Sequence, residues 1–242
     1  MRTLRATLGK LVEEIRSYST RKILFRLGLL QFIARIFRLK VSASLYLEDY
    51  YLSDGGCDGY REFAVHRGQK LPVRLEAVLS EMGNVEGHSI LDLGCGRGEL
   101  LFHLEISADR VVGIDYSSAA IEICRKFVKK AHLIHADIVQ FLPCFEAPQF
   151  DHALMIDVVE HLFDWELEIV FKHVARLLKN NGLLYVDTPL LSKRAYSVMH
   201  VNIKHSAEQY LPFLPHFAIE KVVSADPSGS DFLIKFRKSR WP

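Results

Sequence analysis

Three glycines at alternate positions, Gly94, Gly96 and Gly98, stand in the stretch DLGCGRG, directly after an apolar run. Glycines so spaced let a backbone turn sharply and approach a ligand with no side chain between. Glu99 follows them, so the third glycine of a nicotinamide fingerprint is absent. So is the Gly-Lys-Ser/Thr of a phosphate-binding P-loop. Asp92, two residues ahead of the first glycine, suits a ligand with a cationic group better than a pyrophosphate. Asp115 ends the next apolar run, 17 residues after Gly98. A carboxylate there can accept both hydroxyls of a ribose.

A second constellation is DVVEH, in which Asp157, Glu160 and His161 stand three and four apart. His161 and Glu160 are the candidate catalytic residues, with His161 as general base for a hydroxyl. The competing role for His161 is to cap or pack. The same spacing can also gather ligands for Mg, Mn or Zn, with His200 of HVNIKH as a further ligand. No metal is assigned on sequence grounds, and Asp157, Glu160, His161 and His200 remain the alternative set. His205 of the same segment is otherwise a lid or loop residue.

These groups need strands to position them. SILDLG, RVVGID, HLIHAD, FDHALMID and GLLYVDTP read as five buried strands, separated by helical stretches. Helices are expected over 97–106, after Ser117 or Ser118 as N-cap, over 164–179 and over 206–214. FAIEKVVSAD and DFLIKF, separated by PSGS, read as a terminal antiparallel hairpin.

With these segments in this order, residues 85–238 resemble the class I S-adenosylmethionine-dependent methyltransferases. DLGCGRG resembles the family's first motif, VVGIDYS its ribose-binding acid and HADI its adenine-edge motif. FDHALMIDVVEHL and LLKNNGLLYVDTP resemble its fourth- and fifth-strand segments. The resemblance implies an α/β fold: a Rossmann-like seven-stranded sheet, mostly parallel, with a C-terminal antiparallel hairpin, flanking helices and an N-terminal helical extension. It implies S-adenosyl-L-methionine as cofactor, leaving as S-adenosyl-L-homocysteine. Gly94, Cys95, Gly96 and Gly98 would pass under its methionine part, with Asp92 orienting the loop or meeting the amino group. Asp115 and Tyr116 would hold the ribose end, Asp137 would accept from the adenine amino group, Ile138 would pack on the ring, and Asp157 would line the methyl-donor side. Arg97 is expected at the surface or facing substrate. The ubiquinone-pathway O-methyltransferases and the small-RNA 3′-end methyltransferases carry a similar ExxEH where this chain has DxxEH.

The resemblance leaves the acceptor open. The base-amine motif [DN]PP[YF] is absent after the fourth strand, so no DNA partner is expected, and Cys144 precedes that strand and is expected to be structural. A small-molecule, lipid-linked or saccharide acceptor is expected, with O-methylation favoured. The alternatives are an RNA-directed enzyme, a non-catalytic binding subunit of this fold, and a nucleotide-dependent oxidoreductase disfavoured by Glu99.

The organisation expected is an extension over 1–45, a lid and helix over 46–84, and the main domain over 85–242. Tyr51 and Tyr60 of YLEDYYLSDGGCDGY are candidate lid residues. Residues 1–40 hold ten Lys or Arg against two Glu, a balance of +8, while the rest carries −6. The apolar, arginine-studded run over 21–40 suits packing, dimerisation or peripheral contact with anionic lipid. No cofactor motif lies within 1–40, so deleting these residues is expected to leave cofactor affinity nearly intact. Four cysteines without CxxC spacing, and no secretion signal, fit a reducing cytoplasmic setting.

Overall fold

The computed structural model describes residues 29–53, 63, 65–146, 149–189, 199–225, 227, 229 and 231–239. Tyr60 and the apolar run up to residue 28 lie outside them. The sheet has seven strands: β1 (Ser89–Leu93), β2 (Arg110–Asp115), β3 (His132–His135), β4 (Phe150–Ile156), β5 (Leu178–Pro189), β6 (Phe217–Ser224) and β7 (Asp231–Lys238). Their order is β3-β2-β1-β4-β5-β7-β6. The first five are parallel, and β7 runs antiparallel to both β5 and β6.

Strand alternation divides the core into two layers. Leu91, Leu93, Val112, Ile114, Ala153, Met155, Leu184 and Val186 face one side. Ile90, Val111, Leu154, Ile156 and Tyr185 face the other. Each fully buried aliphatic side chain contributes ~1.5–3 kcal/mol relative to exposure. On the first side lie α1 (Leu30–Phe37) and α7 (Asp164–Leu177); on the second lie α3 (Val73–Met82) and α4 (Glu99–Ser107). Between them in sequence are α2 (Glu48–Leu52), α5 (Ser118–Arg125) and the one-turn α6 (Ile138–Phe141). Ser117 is the N-cap of α5, its hydroxyl accepting from the Ala120 amide. The segment expected as a helix over 206–214 is a 3-10 helix, Ala207–Phe213, with Pro212 inside it. The strand order reverses between β1 and β4, and loops leaving the carboxyl ends there frame a crevice.

Candidate active site

The glycine loop closes that crevice. Gly94, Gly96 and Gly98 have φ of +81°, +52° and +85°, values that L side chains rarely adopt. The amides of Gly94 and Cys95 both donate to the Ile114 carbonyl, at 2.7 and 3.1 Å, tying the loop to β2. A Cβ at Gly94 would meet Val158 Cγ2 at 2.4 Å, and one at Gly98 would meet Cys124 Sγ at 2.3 Å. A Cβ at Gly96 would meet only Tyr51 Cε1, at 3.9 Å. Two glycines are therefore demanded by packing, and the middle one opens to the crevice.

A cavity of about 190 Å³ fills the crevice. Asp92, Gly94, Cys95, Gly96, Asp115, Tyr116, Asp137, Ile138, Asp157 and His161 all line it. Gly98 and Glu160 do not. Gly98 turns onto Cys124, and Glu160, 1% exposed, lies behind the wall. Burial, with the charges of Asp115 and Glu99 beside it, pushes the Asp92 carboxyl up to about 8. Asp115 accepts the Gly96 amide on Oδ2 at 2.9 Å and the Ser117 amide on Oδ1 at 2.8 Å. Burial still raises its pKa, against those donors. Asp137 caps α6 through Val139 and accepts from Lys40 at 2.6 Å.

At the end of β4, Asp157 sits in the left-handed region at φ +57°, a conformation Asp tolerates better than most residues. Its amide donates to the Asp187 carbonyl at 3.1 Å. Arg74, from α3, donates to the Asp157 carboxylate and to Asp187 Oδ2, the latter at 3.1 Å. Asp187 is fully buried, and burial with the neighbouring Asp157 charge pushes its carboxyl up to about 8. Arg74 thus fixes two acids and presents its own charge to the cavity.

His161 Nδ1 lies 3.1 Å from the Met199 carbonyl. A carbonyl only accepts, so Nδ1 carries the proton and Nε2 keeps its lone pair. Burial, with His200 beside it, lowers its pKa to about 4, so the ring is neutral. Nε2 lies 3.8 Å from Glu160 Oε1. Ligand atoms of Glu160, His161 and His200 fall within 4.8 Å of one another. Asp157, the fourth residue of the alternative set, is outside that group and pairs with Arg74. His205 is exposed and also apart from it. The Tyr46 ring meets those of Tyr50, Tyr116 and His161 at 5.1, 5.3 and 5.7 Å, forming an aromatic wall.

Residues 91–186 match the family model of a methyltransferase domain. Over 151 residues the chain is 28% identical to a ubiquinone biosynthesis O-methyltransferase of Actinobacillus pleuropneumoniae serotype 7 (strain AP76), covering 60% of this chain and 62% of that protein. Residues 91–186 thus form a methyltransferase domain. The chain spans under two thirds of the length of this relative. Two solved structures share the fold. The DhpI–SAH complex has a TM-score of 0.62 at 17% identity, covering 82% of this chain and 96% of that one. Magnesium protoporphyrin IX methyltransferase (ChlM) from Synechocystis PCC 6803 with bound SAM has a TM-score of 0.56 at 20% identity, covering 82% and 98%.

The structure adds to the methyltransferase domain's cavity residues that carry no motif. Arg74, Lys40, Tyr46, Tyr50 and Glu166 line it beside the expected Tyr51. The tyrosine-rich stretch was the one sequence signal among them. Lys40 lines the cavity although no cofactor motif lies within residues 1–40. Arg97, expected at the surface or facing substrate, lines the cavity and is not at the surface. It is 3% exposed, donates to the Tyr51 carbonyl at 2.9 Å and to Glu99 at 2.5 Å, and stacks 4.6 Å over Phe63. Cys144, expected to pack, is exposed.

Proposed function

We propose that this protein transfers the methyl group of S-adenosylmethionine to a hydroxyl oxygen of a small-molecule, lipid-linked or saccharide acceptor. The observation that carries this is one cavity holding Asp92, Gly96, Asp115 and Asp137 along its length, with Asp157 and His161 at its walls. The cofactor would supply an electrophilic methyl group on a sulfonium. Asp115 would accept from the ribose hydroxyls, and Asp137 from the adenine amino group. Asp92 would meet the amino group of the methionine part, and Arg74 its carboxylate. The buried tyrosine wall would exclude water and align the acceptor. His161 Nε2, with its lone pair free, could take the acceptor proton. The test is transfer of labelled methyl from S-adenosylmethionine into fractionated cell extract, with mass identification of the product. Absence of any labelled product while the protein binds S-adenosylhomocysteine would favour a binding subunit instead.

A second reading of the acceptor end rests on a specific observation. Glu160 Oε2 and His200 Nδ1 are buried with no hydrogen-bond partner among the described residues. Together with the neutral His161, this donor set fits a divalent cation. Such a cation would make the acceptor hydroxyl more acidic. His161 Nε2 can serve as base or as ligand but not both. Metal analysis of the protein as purified, and of Glu160→Gln, separates the readings: bound metal lost in the variant favours the ligand role.

For the N-terminal face we propose peripheral contact with anionic lipid. Leu29, Phe32 and Ile36 stand 46%, 66% and 57% exposed on one stripe of α1, while Leu30 and Ala34 are buried on the other. The basic balance of residues 1–40 supplies the complementary charge. Among the described residues, no helix is long and apolar enough to cross a membrane.

A further inference from the structure

We propose that Lys40, from the segment before the methyltransferase domain, is a positioning residue that presets Asp137 to receive the adenine amino group. This rests on the reading of the cavity as a cofactor site. The Lys40 ammonium lies 2.6 Å from Asp137 Oδ2 and 3.7 Å from Glu166 Oε1, and all three residues line the cavity. Asp137 Oδ1 accepts the Val139 amide at 2.9 Å. Each carboxylate oxygen therefore has one donor, which fixes the plane of the group and leaves a further lone pair on each oxygen. Removing Lys40 leaves one anchor, and the carboxylate can rotate away from the ligand. The pair is half-buried, the Lys40 and Asp137 side chains being 31% and 27% exposed. Its effect is on geometry.

Lys40 is itself held in place. Arg38, in the left-handed conformation at φ 49°, ends α1 and turns the chain. The Trp165 indole donates to the Leu39 carbonyl at 3.2 Å, and the Arg38 guanidinium lies 4.7 Å over its ring. Gln31 staples α1 to the segment after His200 and to the first residue of α7. Its amide nitrogen donates to the Val201 carbonyl at 2.8 Å, and its oxygen accepts the Asp164 amide at 2.9 Å. The Val201 and Asn202 amides in turn donate to the Glu160 carbonyl, at 2.8 and 3.0 Å. The seating of α1 thus sets where Lys40 stands.

The test is calorimetry on full-length wild type, Lys40→Met and Lys40→Arg. The ligands are S-adenosylhomocysteine and its 6-deaminated purine analogue, in which hydrogen replaces the amino group. Lys40→Met should weaken S-adenosylhomocysteine binding about five-fold, leave the analogue unchanged, and keep the wild-type melting temperature. Lys40→Arg should recover most of the loss. Equal weakening of both ligands would overturn the proposal, since Lys40 would then only support the fold. So would an unchanged or tightened affinity for S-adenosylhomocysteine in Lys40→Met. A wild type that binds neither ligand would overturn the cofactor reading itself, and this proposal with it.

Discussion

The Asp115 carboxylate accepts the Gly96 amide at 2.9 Å, so the acid at the end of β2 and the open glycine of the loop form one unit. Asp115→Ala removes that link together with the two acceptors proposed for the ribose. S-adenosylhomocysteine affinity should fall by about 2–4 kcal/mol, or roughly 30- to 1000-fold. Calorimetry on the folded variant checks this, and unchanged affinity would remove Asp115 from the ribose role.

The glycines should separate binding from stability. Gly96→Val places a side chain in the crevice, where a Cβ meets only Tyr51. It should abolish cofactor binding while the fold survives with some backbone strain. Gly98→Val drives into Cys124 and Val128 and should lower the melting temperature sharply. Thermal melts and calorimetry on both variants decide; identical profiles would refute the distinction.

Asp92 predicts a pH dependence. Its folded pKa, about 8, is raised above the ordinary carboxylate value by burial. The folded form holds its proton more tightly than the unfolded chain. The contribution to stability is therefore full below about pH 4 and is lost as pH rises toward 8. Asp92→Asn should flatten the fall in stability of the ligand-free protein across that window. Denaturant titrations at several pH values measure it, and parallel curves for both proteins would contradict the assignment.

Arg74 bridges Asp157 and the fully buried Asp187. Arg74→Met removes the donor shared by Asp157 and the buried Asp187, so unfolding free energy should drop by about 1–3 kcal/mol. Adding Asp187→Asn should restore part of the loss, because the unpartnered buried acid is gone. A double-mutant cycle by urea denaturation tests the coupling.

The α1 stripe can be tested by salt. Phe32→Glu, at a site 66% exposed, should abolish sedimentation with anionic vesicles and leave the melting temperature unchanged. Wild-type binding should weaken as salt rises, since attraction is screened beyond about 8 Å at physiological ionic strength. A salt-insensitive change in particle mass on light scattering would point to a dimer instead.

The parallel strands were legible because strands buried on both faces read as unbroken apolar runs. DLGCGRG and Asp115 were legible because their chemistry is local: a turn, a strand end and a short spacing. Lys40 and Arg74 were not. They reach partners 97 and 83 residues away, and one long cation in a helix or turn looks like any other. The place of Arg97 was not legible for the same reason. Its burial depends on a carbonyl 46 residues upstream, and an arginine beside a glycine loop reads locally as solvated. The DxxEH spacing brought Glu160 and His161 together but not Asp157, because the left-handed backbone at 157 breaks the helical spacing on which that expectation relied.

The place of β7 between β5 and β6 bears on how the chain reaches its fold. β5 pairs with β7 along its carboxyl half, and β6 pairs with β7 alone. During synthesis the ribosome delivers β5 and β6 before β7, so β5 has only β4 beside it and β6 has no strand partner until residues 231–238 emerge. The exposed edge of β5, carrying Leu184 and Val186, must wait in that interval. This sheet is therefore completed from its interior, by a later strand entering between two earlier ones, and its exposure to misassembly is greatest before that entry.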